Sequence, residues 1–393
     1  MREGSSLRTL RIRLIDRLAG DLVCLLLGSA ALLRKSLFNT GFNRFNSYKA
    51  NPARVKSILF IQLWGIGETI LTLPAIMAVK KRFSKASISV LATSRNRAVY
   101  DSVGLNVIEL GMKPGQIIRF IMKNLGSFDM VVDMEEYLRI SSVITYLVSK
   151  ASLGFSGGIR STLYNATVSY DDCKHTAEAF FDLARSLGVK GGVKALVSLG
   201  CADEDAEGVK AFLGSQGLGA GDQIIGICTG AAESARSRIW PHKRFAKLAD
   251  QIIGKYNCCV VFTGTSSERR AVHRIMGMMG NRDRAVNAAG CMSIRQLFCF
   301  VKQCRLFISN DTGPMHIAAA QGTKTIGLFG PNTPLRWHPF GESNISIYRK
   351  TRCSPCINTH LGQVPECRFG NAICMKRIKV SDVMEAVERL VRA

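Results

Sequence analysis

The stretch from Arg305 to Pro331, RLFISNDTGPMHIAAAQGTKTIGLFGP, constrains the fold of this chain more than any other. Two short apolar runs, RLFIS and TIGLF, have the length and composition of buried strands. Between them, Pro314 suits the first position of a helix, Asp311 or Thr312 is placed to cap that helix, and Gly322 is placed to end it. The order strand, turn, short helix, strand predicts part of an α/β sheet.

The turn before that helix also has the chemistry of an anion site. A helix that begins after Thr312, at Gly313, points its first backbone N–H groups and the positive end of its dipole outward, which suits a phosphate or diphosphate. His316 lies in the first turn, where its imidazole is placed to donate to such a group. An ordinary capped helix without a ligand would have the same residues, so the turn alone leaves both interpretations open.

The same stretch resembles the C-terminal signature of glycosyltransferase family 9, the heptosyltransferase family. In that signature S-N-D-T-G-P-x-H-x-A-A-A precedes a second strand that ends in G-x-x-x-P, and here Ser309 to Ala320 and Gly327 to Pro331 match it. The resemblance implies a GT-B fold, in which two Rossmann-like parallel-sheet domains face each other across a cleft. It also implies an ADP-sugar donor bound to the second domain and an acceptor bound to the first.

Composition agrees with two globular domains and predicts an acidic partner. A chain of 393 residues with 47% hydrophobic residues is long enough for two cores. Its formal net charge of +24 favours nucleic acid, anionic lipid headgroups or a phosphorylated substrate as partner. We find no recognisable nucleic-acid-binding module, and the aromatic residues are not interleaved with the basic runs, so no specific nucleic acid is expected.

The thirteen cysteines are scattered through apparent strands and helices, which is typical of reduced thiols and favours the cytoplasm. Examples are Cys228, Cys258, Cys259, Cys299 and Cys304. Four further cysteines near the C-terminus could form a zinc site, although their second spacing is not that of a standard zinc knuckle. Reduced thiols or a local disulfide remain the alternatives for this group, which comprises Cys353, Cys356, Cys367 and Cys374.

Residues 1–54 are predicted to form a basic amphipathic extension on a membrane surface. Residues 1–56 contain eleven Lys or Arg and three acids, a net charge of +8. The longest weakly charged run, Leu22 to Leu33, has twelve residues, whereas a spanning helix needs roughly 20. We therefore expect a helix that lies on an anionic membrane, with its basic side chains at the headgroups, or one that packs on the protein itself.

Residues 55–200 are predicted to form the first Rossmann-like domain, which the resemblance makes the acceptor domain. SILFIQL has the pattern of a buried parallel strand, Gly65 and Gly67 form a tight turn, and a helix begins at Glu68. The family has G-x-G-D at this position and uses the acid as general base, so Glu68 is the candidate base here. A first-turn acid favoured by the helix dipole is the alternative. His175, at a later helix start, is a candidate acceptor contact or a helix cap.

Residues 201–222 are predicted to be a linker region, residues 223–380 the nucleotide-sugar domain and residues 381–393 a C-terminal helix. In the family, a basic residue two positions before Trp-Pro neutralises the donor diphosphate, and Arg238 has that spacing here. Arg236 is a competing candidate, and a solvated basic loop is the alternative. The resemblance places Thr229 in the same donor loop and Glu268 near the donor ribose, although Glu268 is also compatible with a simple helix-start acid.

Together these features predict an inverting glycosyltransferase that transfers heptose or a related sugar from an ADP-sugar to a lipopolysaccharide core or related lipid-linked glycan. Glu68 and Arg238 would be catalytic, no cofactor would be required, and the ADP-sugar would be the co-substrate. The enzyme would be cytoplasmic and peripheral on the inner face of the inner membrane. The alternatives are a non-catalytic basic protein that binds nucleotide or nucleic acid, and a transferase that uses another nucleotide sugar.

Overall fold

The computed structural model describes residue 16 and residues 20–29, 40–219 and 221–392. The chain divides into two compact units. Unit 1 extends to Lys194 and includes His360–Gly362, whereas unit 2 comprises Ala195–Thr359 and resumes at Gln363. Residues 201–222 belong to unit 2. Within the described part of the chain, none of the helices combines the length and the apolarity needed to cross a bilayer.

Unit 1 is built on a six-stranded sheet in which every neighbouring pair is parallel. Its strands are β1 (Ser57–Ile61), β2 (Ser87–Ala92), β3 (Asn106–Glu109), β4 (Phe128–Asp133), β5 (Ser149–Phe155) and β6 (Ala166–Val168). They lie in the order β3-β2-β1-β4-β5-β6. The order therefore reverses between β1 and β4, and the carboxyl ends of these two strands lie side by side.

Helices connect these strands, as expected for parallel pairs, which need crossover connections. They are α1 (Thr40–Ala50), α2 (Ile66–Arg82), α3 (Arg97–Asp101), α4 (Pro114–Lys123), α5 (Arg139–Val148) and α6 (Thr176–Ser186), with 3₁₀ turns at Pro52–Arg54 and Ile159–Leu163. Residues 20–29 are also helical. Side chains of α4 and α5 pack against Leu59 and Ile61 of β1 and cover one face of the sheet.

Unit 2 repeats the same architecture. Its strands are β7 (Ile224–Cys228), β8 (Cys259–Thr263), β9 (Ala285–Asn287), β10 (Cys304–Asn310), β11 (Thr325–Phe329) and β12 (Ile345–Tyr348). All neighbouring pairs are parallel. The order is β12-β11-β10-β7-β8-β9, so the reversal lies between β7 and β10.

The helices of unit 2 follow the expected alternation with strands. They are α7 (Asp203–Ser215), α8 (His242–Tyr256), α9 (Arg269–Met276), α10 (Ile294–Gln303), α11 (Gly313–Ala320), α12 (Pro334–Trp337), α13 (Ile373–Arg377) and α14 (Val380–Arg392), with 3₁₀ turns at Glu233–Arg238, Ser266–Glu268 and Arg282–Arg284. The strand, helix and strand predicted between Arg305 and Pro331 are confirmed as β10, α11 and β11.

One cysteine prediction is wrong, because Cys299 forms a disulfide with Cys201. The two residues are 98 positions apart in the sequence, and their Cα atoms are 5.3 Å apart, which is within the usual range for a disulfide. The segment before α7 meets α10 here, where Arg295 also forms an ion pair with Asp205. Four of the five cysteines given as examples of reduced thiols, Cys228, Cys258, Cys259 and Cys304, are free and buried as expected.

A buried ion pair lies at the carboxyl end of β4 in unit 1. Arg160 Nη2 donates to Asp133 Oδ2 over 3.0 Å, and the hydroxyl of Tyr164 donates to the same oxygen over 2.6 Å. All three side chains are almost entirely inaccessible to solvent. Buried charges of this kind persist only when they are paired and hydrogen-bonded, as they are here.

Glu135, two residues after Asp133, fixes the loop that follows β1. Its Oε1 accepts hydrogen bonds from the backbone N–H of Leu63 (2.5 Å) and of Trp64 (3.2 Å). Burial raises the pKa of Glu135 well above its usual value, against the lowering effect of the Leu63 N–H, and the adjacent Asp133 raises it further. This carboxyl group therefore joins the ends of β1 and β4 at the reversal of strand order.

We expect Glu135→Gln to remove a pH-dependent loss of stability. A carboxyl whose pKa is higher in the folded state contributes stability that is complete below its unfolded pKa of about 4.3 and is lost as the pH rises through the folded pKa. Glutamine keeps a carbonyl acceptor for Leu63 and Trp64 and has no charge. The variant should therefore be more stable than the wild type at neutral pH, by on the order of 1 kcal/mol, and similar to it near the unfolded pKa.

Urea unfolding followed at several pH values would measure this difference. Glu109→Gln is the control, because Glu109 undergoes the same chemical change in unit 1 at an exposed position beside Arg97. A Glu135→Gln chain that loses stability equally at every pH would contradict the prediction.

Candidate active site

The donor-site residues predicted from sequence gather where the strand order of unit 2 reverses. Thr229 follows β7, Asp311 and Thr312 follow β10, and these strands are neighbours in the sheet. Open parallel sheets bind ligands at such reversals, because the loops after the two strands leave in opposite directions and open a crevice.

Asn310, the last residue of β10, joins the two loops with one buried amide. Its Nδ2 donates to the carbonyl oxygens of Thr229 (2.9 Å) and Gly230 (3.1 Å), and its Oδ1 accepts from the backbone N–H of Trp240 (3.1 Å). The indole N–H of Trp240 donates to the carbonyl of Ile378. Both ends of the loop between β7 and α8 are thus attached to the end of β10. From the sequence, Asn310 was recognisable only as part of the signature from Ser309 to Ala320.

Arg238 lies in that loop and contacts the turn after β10. Its Nη1 donates to the backbone carbonyl of Asp311 over 3.0 Å and lies 3.3 Å from Asp311 Oδ2. The same carboxylate oxygen accepts from Asn332 Nδ2 over 2.9 Å. The Arg238 side chain is 15% exposed, and its buried Nε has no hydrogen-bond partner among the described residues. An anion that accepted from Nε would relieve the cost of this unsatisfied donor. Arg236, the competing candidate, is exposed.

The helix after this turn begins at Gly313, as predicted, but the predicted side-chain cap is wrong. Thr312 occupies the capping position and makes no side-chain cap. Its hydroxyl instead donates to the carbonyl of Asn310 and lies 3.2 Å from Ser309 Oγ, while the Asp311 carboxylate is engaged by Arg238 and Asn332. The side chain at the capping position therefore leaves the first backbone N–H groups of α11 to other acceptors, such as an external anion.

Glu268 and His316 are the two other residues predicted to contact the donor, and their surroundings in the structure differ from each other. Glu268 accepts from the N–H and hydroxyl of Thr265 and so caps its own helix. It also lies against the loop after β7, since a Cβ placed on Gly230 would be 1.5 Å from Glu268 Oε1. His316 is buried in α11, with its ring centroid 6.1 Å from that of Trp337.

In unit 1, the predicted general base lies at the corresponding reversal. Glu68 is in the first turn of α2, directly after β1, and is half-buried. Gly65 has a φ of +66°, and a Cβ at this position would lie 1.8 Å from Glu68 Oε2. Glycine is therefore required both for the backbone conformation and for the space that the carboxylate occupies. Gly67 is buried within α2.

Sequence analysis did not identify Glu135 as part of this region. The Glu135 carboxylate accepts hydrogen bonds from the backbone of Leu63 and Trp64, which immediately precede Gly65. The available signal was the group of three acids at the end of a buried strand in VVDMEE, where one carboxylate would be expected to meet the neighbouring strand's loop. His175 caps α6, because its Nδ1 accepts from the N–H of Ala177 over 3.2 Å.

The four C-terminal cysteines are free thiols of mixed exposure. Cys356 is exposed, whereas Cys374 is buried, and burial raises the pKa of Cys374 to about 11. Among the described residues, no group of three or more His, Cys, Asp or Glu side chains is arranged to hold a metal ion.

Comparison with known proteins agrees with this architecture. The structure of a family 9 glycosyl transferase from Veillonella parvula aligns with 87% of this chain and 99% of its own, with a TM-score of 0.73 and 22% identity. The structure of Escherichia coli ADP-heptose lps heptosyltransferase II aligns with 86% and 98%, with a TM-score of 0.67 and 20% identity. The fold is thus that of a GT-B glycosyltransferase, as predicted.

Sequence similarity identifies the family. Lipooligosaccharide heptosyltransferase 2 of Campylobacter jejuni is 22% identical over 342 residues, which cover 86% of this chain and 99% of that protein. The profile of Glycosyltransferase family 9 (heptosyltransferase) matches residues 118–363. This chain belongs to glycosyltransferase family 9, the heptosyltransferase family, and is a glycosyltransferase.

Proposed function

We propose that this enzyme transfers heptose from ADP-heptose to the core of a lipopolysaccharide or lipooligosaccharide, with inversion at the anomeric carbon. The observation that carries the proposal is the contact of Arg238 with the turn at Asp311, next to a helix whose capping residue, Thr312, makes no side-chain cap. The names of two relatives given above describe them as heptosyltransferases of lipooligosaccharide or lipopolysaccharide. Transfer from another nucleotide sugar, which is an alternative that the sequence left open, would be detected by the test below.

In the proposed reaction, unit 1 holds the acceptor and unit 2 the donor. Glu68 takes the proton from an acceptor hydroxyl as its oxygen attacks the anomeric carbon of the heptose. The bond between that carbon and the diphosphate breaks, and ADP leaves with the electron pair. Attack from the face opposite the leaving group inverts the configuration at that carbon.

The leaving diphosphate gains negative charge in the transition state, and unit 2 offers fixed positive charge to stabilise it. Arg238 supplies a guanidinium, and the start of α11 at Thr312 and Gly313 supplies backbone N–H groups and the helix dipole. His316 is the third proposed donor, while Thr229 and Glu268 would contact the rest of the nucleotide. These groups neutralise the diphosphate without a metal ion, so the proposal includes no cofactor.

The acceptor and the charge of the chain together suggest where the enzyme works. A lipopolysaccharide core is attached to lipid and is rich in anionic groups, and the chain has a formal charge of +24. We place the enzyme at the cytoplasmic face of the inner membrane as a peripheral protein. The predicted amphipathic extension, residues 1–54, would contribute to this attachment, although residues 30–39 and all of residues 1–19 except residue 16 lie outside the described part of the chain.

Mass spectrometry of the reaction product tests the proposal. The enzyme is incubated with a heptose-deficient core acceptor and, in parallel, ADP-heptose, ADP-hexoses or UDP-sugars. We expect the acceptor to gain the mass of one heptosyl group only with ADP-heptose. A product formed with a UDP-sugar instead would replace the donor assignment. Binding to oligonucleotides without any product, and without thermal protection by ADP, would overturn the proposal.

A further inference from the structure

Helix α4 of unit 1 presents an apolar stripe to solvent. None of its residues is buried. Ile118 is 60% exposed, Met122 is 66% exposed, and Leu125, just beyond the end of the helix, is 52% exposed. Ile118 and Met122 are four residues apart and so lie on one face of α4, and Leu125 follows in the turn after the helix. Apolar side chains exposed next to one another in this way usually mark a binding surface.

The opposite face of α4 is attached to the body of unit 1. Ile117, Phe120 and Ile121 pack against the core formed by β1 and its neighbours. The end of the helix is also fixed to the end of α5, because the N–H of Gly126 donates to the carbonyl of Leu147 over 3.0 Å. The exposed stripe is therefore held on a firm support, and its exposure does not come from a loose helix.

Three cations flank the stripe. Lys113, Arg119 and Lys123 are all exposed, and the sequence contains no acidic residue between Glu109 and Asp129. Apolar side chains next to exposed bases are the pattern of a helix that lies in the interface of an anionic bilayer, where the apolar groups enter the acyl boundary and the bases meet lipid phosphates.

A second apolar surface lies beside the same helix layer. The helical residues 20–29 pack against α5 through Cys24 and Leu27, and they expose Leu22, Leu25 and Leu26 to solvent. Helix α4 also packs against α5. Two neighbours of α5 thus expose apolar side chains to solvent.

We propose that α4 is a membrane-docking helix, which inserts Ile118, Met122 and Leu125 into the surface of an anionic phospholipid bilayer and places its three bases on the headgroups. The proposal deepens the proposed function, since a lipid-linked acceptor would lie in that bilayer. A second copy of the chain fits this surface less well, because a two-fold contact would place the same uncompensated bases of both copies against each other.

Co-sedimentation of the full chain with vesicles tests the proposal. The vesicles contain phosphatidylcholine, either alone or mixed with phosphatidylglycerol. We expect Ile118→Ser/Met122→Ser/Leu125→Ser to weaken binding to the mixed vesicles at least about tenfold. We expect Lys113→Gln/Arg119→Gln/Lys123→Gln to weaken it on the order of tenfold or more, and to reduce its dependence on salt.

Phe369→Ser is the matched control. Phe369 is 53% exposed and lies beside the basic Arg368, but it belongs to unit 2. We expect this variant to bind vesicles as the wild type does. Thermal unfolding of all variants should show that these surface substitutions leave the fold intact.

The result that overturns the proposal is wild-type binding of the apolar triple variant to anionic vesicles. A wild-type dimer that dissociates in this variant, with vesicle binding unchanged, would also overturn it and assign α4 to a contact between copies. Turnover on a deacylated, water-soluble acceptor should be unchanged in the variant and reduced only on acceptor in vesicles. If the wild type transferred no heptose to any acceptor, the proposed function would fail while the vesicle result stood by itself.

Discussion

Replacement of Glu68 by glutamine is expected to lower kcat about 10²–10⁴-fold and to leave ADP affinity unchanged, because the amide cannot take a proton from the acceptor hydroxyl. The shape of the side chain is retained, so its packing against Gly65 should persist. Initial rates with ADP-heptose and calorimetric titration with ADP measure the two effects separately.

A control for this experiment is Glu204→Gln. Glu204 is an exposed acid in the first turn of α7, so it tests whether the loss reflects only a weaker interaction with a helix dipole, which is worth about 0.3–1 kcal/mol. We expect full activity in this variant. Wild-type turnover in Glu68→Gln would remove Glu68 as the base, and equal losses in both variants would assign Glu68 to helix stabilisation.

Replacement of Arg238 by methionine is expected to lower kcat/KM about 10²–10³-fold, the usual effect of removing one preorganised donor from a developing negative charge. Methionine retains part of the apolar stem but leaves the diphosphate, and Asp311, without the guanidinium. ADP affinity should also fall, because the ground-state diphosphate uses the same contact. Arg238→Lys should recover part of the activity, since lysine retains a positive charge beside the diphosphate but not the planar guanidinium.

Arg236→Met provides the comparison within the same loop. Arg236 is exposed and two residues away, so the substitution removes an equal charge from the surface of the same loop. We expect less than about a threefold change, because an exposed charge contributes little at physiological salt. If the Arg236 variant were the inactive one, the diphosphate contact would belong to Arg236.

The sequence was most informative where structure depends on neighbours along the chain. The segment from Arg305 to Pro331 predicted β10, α11 and β11, because apolar runs, Pro314 and Gly322 act locally. The same segment did not predict which residues form hydrogen bonds with the turn after β10. Asp311 binds Arg238, which is 73 residues away, and Asn332, which is 21 residues away, and these partners draw it away from the helix cap that its position suggested.

The residues that the sequence did not reveal are those that act between distant segments. Glu135 meets Leu63 across two adjacent strands, 72 positions apart. Cys201 and Cys299 form a disulfide because α7 packs against α10, and no spacing rule indicated that pair. A candidate base and a candidate anion contact were recognisable from local pattern and resemblance. The hydrogen bonds that support these two residues could be predicted only from the strand order, because that order brings distant segments together.

The single amide of Asn310 has a consequence for redesign of donor preference. Because it holds Thr229, Gly230 and Trp240 at once, insertions or deletions in the intervening loop would have to preserve three backbone positions together. Exchanging side chains at a constant loop length leaves these attachments in place. Libraries that vary residue identity in residues 231–239 should therefore yield many more folded enzymes than libraries that vary the number of residues.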